Sequence, residues 1–202
     1  MPRGRRGPRA VGLLLVVAAA VGVWVAQDAG LLRSGAPGTG AVHAGASGAG
    51  ASAARPEGAV RVRVHSVHDG DTLRLSAPEA TEGASGEWRS AVGRESTRIV
   101  GIDAPEIGQA AECHGQESVA ALRRLAPVGS TLWALPDEDP LDRYGRVLLN
   151  LWTDDGRLVP AELVAAGVAR AIAVEPNTTY FTLLSSLEEA ARSDGAGMWG
   201  SC

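Results

Sequence analysis

The stretch from Val60 to Cys202 predicts an α+β domain built on a small β-barrel. Short runs of alternating or β-branched residues come first, and segments with helical spacing fall between and after them. A shift of composition near Pro56 sets this stretch apart from the residues before it. Val60, Val62 and Val64 alternate with Arg61, Arg63 and His65, the pattern of a strand buried on one face. A turn at His68–Asp71 leads into Leu73 and Leu75. The polar, Gly-containing segment from Ala77 to Ser96 reads as a long hairpin loop, and Thr97–Ile102 as the next strand. Val119, Leu122 and Leu125 give Gln116–Leu125 the spacing of a helix. Thr131–Leu135 and Arg146–Thr153 read as strands, and Val159–Ala166 as a short helix stopped by Gly167. Leu183, Leu184, Leu187 and Ala191 place an apolar face on Tyr180–Arg192, which Gly195 ends.

The chain is expected to divide into residues 1–29, 30–57 and 58–202. Four Arg in the first nine residues precede the uncharged run Val11–Ala26, which reads as an export signal or membrane anchor. That run is shorter than the roughly 20 residues that span a bilayer, and Trp24 spoils the best cleavage site after Ala26. Release and tethering to the membrane both remain open from this segment. From Ser34 to Ala54, 17 of 21 residues are Gly, Ala or Ser, too little apolar surface to fold. As a flexible linker it would reach about 25 Å.

Charge is uneven. Residues 1–56 carry six Arg against one Asp (+5), whereas residues 57–202 carry 13 Arg against 22 acidic residues (−9). A domain at −9 excludes a polyanion binder that works through its overall field, so any contact with nucleic acid must be local. The two cysteines, Cys113 and Cys202, fit one disulfide in an oxidising compartment, with two unpaired thiols as the alternative.

Three segments hold the candidate chemistry. His68-Asp69-Gly70-Asp71-Thr72 sets two carboxylates around a Gly, which by itself is a plain turn. In Arg98-Ile99-Val100-Gly101-Ile102-Asp103-Ala104-Pro105-Glu106 a strand ends in two carboxylates spaced by a stiffening Pro. Asp142-Arg143-Tyr144-Gly145-Arg146 is a charged turn entering a strand. Together they supply oxygen ligands for a hard cation, a carboxylate base and two guanidinium groups whose forks suit phosphate oxygens.

The ordered set resembles the staphylococcal-nuclease (thermonuclease) family: Asp69-Gly70-Asp71-Thr72, Arg98, Asp103-x-Pro105-Glu106, Asp142-x-Tyr144-Gly145-Arg146, Glu175-Pro176-Asn177 and Met198-Trp199. The resemblance implies a five-stranded OB-fold-type β-barrel with three helices. It implies that Asp71, Asp103 and the main-chain carbonyl of Ala104 bind calcium (Ca2+), and that Glu106 activates water. Arg98 and Arg146 would contact phosphate and stabilise the transition state, with Tyr144 on the substrate side. The implied substrates are DNA and RNA, cut with little sequence preference to leave 3′-phosphates. No obligate protein partner is evident, and a monomer is expected. A catalytically weak binding module on the same barrel is the competing expectation.

The chain departs from the family at several points. Ala104 stands for the usual Thr, with little effect expected at a main-chain ligand. Ile172 and Val174 stand where the best-known member has tyrosines lining the nucleotide pocket. The Leu75–Arg98 interval is longer than usual and carries Trp88. With the acidic balance, these departures predict weak substrate affinity and strong salt sensitivity. His65, His68 and His114 are read as surface or strand residues, and Trp133, Trp152 and Trp199 as core. Asn177-Thr178-Thr179 matches a glycosylation sequon and is assigned to a helix-entry turn.

Overall fold

The computed structural model describes residues 53–76 and 86–202. The export or anchor segment, nearly all of the linker and the first part of the Ala77–Ser96 segment lie outside the described residues. Among those described, no helix is long and apolar enough to cross a membrane.

Strands β1 (Val60–Val67), β2 (Thr72–Leu75), β3 (Thr97–Ile99), β5 (Thr131–Leu135) and β6 (Val147–Thr153) close a barrel in the order β1-β2-β3-β6-β5. All neighbours are antiparallel except β3 and β6, which run parallel with Thr97 opposite Val147. The valines of β1 point inward and its arginines outward, as the alternation predicts. A bulge between Val64 and Ser66 shifts the register of β1 against β2, so Ser66 faces Arg74. Beside the barrel, β4 (Ile102–Asp103) pairs with β7 (Arg170–Ala171). Three longer helices, α2 (Gly115–Leu125), α3 (Val159–Ala165) and α4 (Phe181–Ser193), accompany two short ones, α1 (Glu87–Ala91) and α5 (Met198–Ser201).

The barrel interior is filled by branched side chains that exclude water completely, among them Leu73, Ile99, Leu149 and Leu151. Each such burial contributes about 2 kcal/mol, and together they make the barrel rigid enough to hold charged groups at fixed positions. Trp152 is also fully buried, edge-on to Tyr180 with ring centroids 5.9 Å apart.

Three expectations are corrected. The hairpin loop read over Ala77–Ser96 contains α1, whose Trp88 is buried against the core. A five-residue helix with one large apolar residue carries too short a period to register in sequence. Thr97–Ile102 is not one strand. It breaks at Val100–Gly101, where Gly101 takes φ +80° and the Leu184 side chain packs over it, leaving no room for a Cβ. Of the three tryptophans read as core, only Trp152 is buried; Trp133 and Trp199 are half-buried. Trp133 lies under the Arg55 guanidinium, 3.8 Å from its ring centroid, and Trp199 under that of Arg192 at 4.1 Å. Their polar edges and the cations beside them favour a wet boundary over the apolar centre.

Candidate active site

The turn before β2 separates two carboxylates that the sequence presents as equivalent. Asp69 Oδ1 accepts the Asp71 N–H at 3.1 Å, and the His68 and Asp69 N–H groups donate to the Thr72 carbonyl. Asp69 thus builds the turn, and Asp71 is turned inward with its side chain 3% exposed. Gly70 makes that possible. A Cβ there would lie 2.6 Å from the Ala104 Cβ and would meet the Ser118 side chain of α2. A buried carboxylate needs partners. Asp71 Oδ2 accepts the Ala104 N–H at 2.8 Å, while Oδ1 accepts the Thr72 hydroxyl at 3.0 Å and pairs with Arg98.

Strand register supplies the Arg: Thr72 on β2 faces Arg98 on β3. The Arg98 guanidinium reaches Asp71 and also donates through Nη2 to Asp103 Oδ1 at 2.8 Å and to the Ile102 carbonyl at 3.0 Å. The break at Gly101 is what allows this, because it turns β4 so that Asp103 comes back toward the strand it left. Asp71, Arg98, Asp103 and Ala104 therefore form one knot.

Arg146 is aimed by Asp142. The Tyr144 and Arg146 N–H groups donate to Asp142 Oδ1, each at 2.9 Å, and Arg146 Nε donates to Oδ2 at 2.6 Å. Burial pushes the Asp142 carboxyl up, but these bonds and the Arg146 charge outweigh it and hold the group below its ordinary value. Arg98 and Arg146 line the same cleft, about 170 Å³, whose wall includes Ile172, Val174 and Asn177. Tyr144 stands exposed beside it, its ring 5.6 Å from the Arg146 guanidinium.

Glu106 is exposed at the end of the Pro105 loop. Its backbone is gripped at both ends by Glu112, whose Oε2 accepts the Glu106 N–H at 3.2 Å and whose N–H donates to the Glu106 carbonyl at 2.9 Å. The carboxylates of Asp71, Asp103 and Glu106 do not close into a trio with all ligand atoms within 4.8 Å of one another. Cys113, His114 and Cys202 do close in that way, but the two sulfurs are joined in the Cys113–Cys202 disulfide. The pairing resolves the choice between disulfide and unpaired thiols.

Whether the knot suits a divalent cation turns on its donors. Two carboxylates from separate elements already converge on one positive centre, the Arg98 guanidinium, and the Ala104 main chain lies against them. Hard anionic oxygens drawn to one place are what Ca2+ requires, with the Arg98 guanidinium now holding that place and Ala104 offering its N–H to Asp71. The donor set fits.

The positions of Thr72, Glu112 and Asp142 as supports escape a reading of the sequence. Thr72 and Asp142 fall inside the quoted motifs, yet spacing carries no sign of which hydrogen bonds they make; Glu112 has no sequence signal. Asn177 behaves as the sequence reading has it, a turn residue. It is 4% exposed, and its amide binds both the N–H and the carbonyl of Asp139 at 2.8 and 2.9 Å, so no acceptor is presented for a sugar. The turn assignment holds, with the Thr178 carbonyl accepting the Phe181 N–H at the entry to α4.

A family profile described as staphylococcal nuclease homologue matches residues 96–201, more than half of the chain. The chain belongs to that family. The match begins at β3 and so covers Arg98, Asp103, Glu106 and Arg146, while Asp71 joins them through the closed barrel. The chain is similar to Endonuclease YncB of Bacillus subtilis (strain 168), 29% identical over 110 residues, which are 52% of each protein. It is similar to Endonuclease YhcR of the same organism, 28% identical over 153 residues, or 71% of this chain and 12% of that one. Thermonuclease of Staphylococcus intermedius is 26% identical over 115 residues, 52% of this chain and 63% of that one. The aligned part thus spans about half the length of the first of these relatives, and less of others.

Proposed function

We propose that the chain is an exported, calcium-dependent nuclease that hydrolyses DNA and RNA to 3′-phosphate products with little sequence preference. The observation that carries this reading is the placement of Arg98. It bridges Asp71 and Asp103 and, with Arg146, faces one cleft sized for part of a nucleotide. The family membership and the relatives named endonucleases and thermonuclease support the reaction class.

In the mechanism, Asp71, Asp103 and the Ala104 carbonyl would hold Ca2+. When bound, the ion supplies positive charge against the phosphate and its attacking water. Glu106 accepts the proton of that water as its oxygen bonds to phosphorus, the bond from phosphorus to the 5′ oxygen breaks, and that oxygen takes a proton from solvent water to leave as the 5′-hydroxyl. Arg98 and Arg146 neutralise the charge that grows on the phosphoryl oxygens. Arg146 arrives aimed because Asp142 fixes its Nε, which leaves its terminal nitrogens unbonded among the described residues at the lining of the cleft. The apolar wall of Ile172 and Val174 offers a nucleotide contact without aromatic stacking, which lowers affinity. Export rests on the basic and apolar segments within residues 1–29, with the linker holding a tethered domain off the membrane or trailing from a released one.

Full-length protein incubated with denatured or duplex DNA is expected to cleave both with calcium and neither with chelator. Glu106→Gln should lower the rate by about 10²–10⁴-fold with an unchanged circular dichroism spectrum. Equal degradation by wild type and variant overturns the catalytic assignment.

A further inference from the structure

Outside the cleft, one concave region gathers the opposite charge from the domain that carries it. His65 of β1, Arg74 of β2, Arg89 of α1 and Arg94 surround a cavity of about 550 Å³, with the hydroxyls of Ser76 and Ser90 on its wall. None of these three arginines pairs with a carboxylate among the described residues, although Glu87 and Glu95 share their segment. Arg74 spends one donor on the Arg94 carbonyl at 3.1 Å, which ties β2 to the segment after α1. The Arg89 Nε is buried with no hydrogen-bond partner among the described residues. Three guanidinium groups gathered with no carboxylate partner among the described residues repel one another, in a domain whose residues 57–202 sum to −9. An anion with several oxygens would supply the missing acceptors.

The same strand links the two regions. Thr72 faces Arg98 across the β2–β3 register, and Arg74, two residues further along β2, lies on the same face about 7 Å on at roughly 3.3 Å per residue. A nucleic-acid strand with one phosphate at Arg98 and Arg146 can therefore lay a neighbouring phosphate here. Trp88 is turned into the core and offers no face for a base. Recognition would be of the backbone alone. The region is built in part by the lengthened interval between Leu75 and Arg98, which gives this chain a purpose for the added residues.

We propose that this cavity is a second phosphate-binding site, taking the backbone of the substrate strand beyond the scissile phosphate. The identity of that strand as substrate rests on the nuclease reading. The test uses full-length protein carrying Arg74→Ala, Arg89→Ala and Arg94→Ala together. Anisotropy of a labelled single strand of about 20 nucleotides, with chelator present and salt varied, should show affinity down about tenfold. The slope of log affinity against log salt should fall by about 0.7, the value for one phosphate no longer held. With calcium, KM for the strand should rise by a similar factor, while kcat/KM for bis(p-nitrophenyl) phosphate stays unchanged. The corresponding triple Arg→Lys variant should recover most of the affinity. If the alanine variant does not fold, Arg74→Gln with Arg94→Gln, both exposed, should lower the slope by about 0.7. Unchanged affinity and slope overturn the proposal, as does loss of binding to phosphatidylserine vesicles with oligonucleotide binding intact. A wild type that cleaves neither substrate while the variants still lose oligonucleotide affinity sinks the nuclease reading and leaves this site standing.

Discussion

At the scale of single residues, Asp142 shows how a common charged turn becomes an aiming device. Its two oxygens accept three hydrogen bonds from Tyr144 and Arg146, and the result holds its carboxyl below the ordinary range. A carboxyl lowered by folding stabilises the folded state at pH above its unfolded value, near 4, and loses that contribution as pH falls through the folded value. Asp142→Asn should therefore cost about 1–3 kcal/mol in urea unfolding at neutral pH, by loss of bonds to a charged group. The difference from wild type should shrink as pH falls from neutral through the folded value. A variant equally destabilised at pH 3 and pH 7 would separate Asp142 from that role. The motif containing Asp142 and Arg146 is visible in sequence as a set of letters. Its internal bonding is not, because hydrogen-bond direction follows from backbone turns that neighbouring residue types leave open. The same holds for Asp69 and Asp71: either could be the inward one until the close packing of Gly70 on Ala104 and Ser118 decides it.

At the scale of elements, the loop bearing Glu106 is held by residues just downstream. Glu112 grips the Glu106 backbone, and its neighbour Cys113 is bonded to Cys202 across a separation of 89 residues. Loop-closure entropy assigns such a cross-link about 4–5 kcal/mol, an upper figure. Cys113→Ser with Cys202→Ser should lower unfolding free energy by up to that amount. Hydrogen exchange in the double variant should quicken most around residues 106–115, beside the lost bond. A uniform change across the barrel would count against the local tie. Strands β1, β2, β5 and β6 and helices α2, α3 and α4 are legible in the sequence, most of them through an apolar spacing and β6 through a short run of mainly apolar residues buried on both faces. Two features are not: α1 is too short to show a period, and the break at Gly101 depends on Leu184, more than eighty positions later.

At the scale of the molecule, a negative domain carries two local gatherings of cations, one at the cleft and one beside α1. The composition shows the first half of that plainly. It cannot show the second, because the guanidinium groups are brought together by barrel closure. That closure has a cost in time. β1 pairs with β5, setting Val60 opposite Ala134, and β3 pairs in parallel with β6, setting Thr97 opposite Val147. Pairings so distant along the chain place refolding in the range of milliseconds to seconds, which stopped-flow tryptophan fluorescence should record; relaxation within microseconds would contradict it. During synthesis at about 5–20 residues per second, β1 waits several seconds for β5 to be made. Through that interval β1 has only β2 beside it, its other edge and its valine-lined face stay uncovered, and it is then that chaperones and proteases meet it.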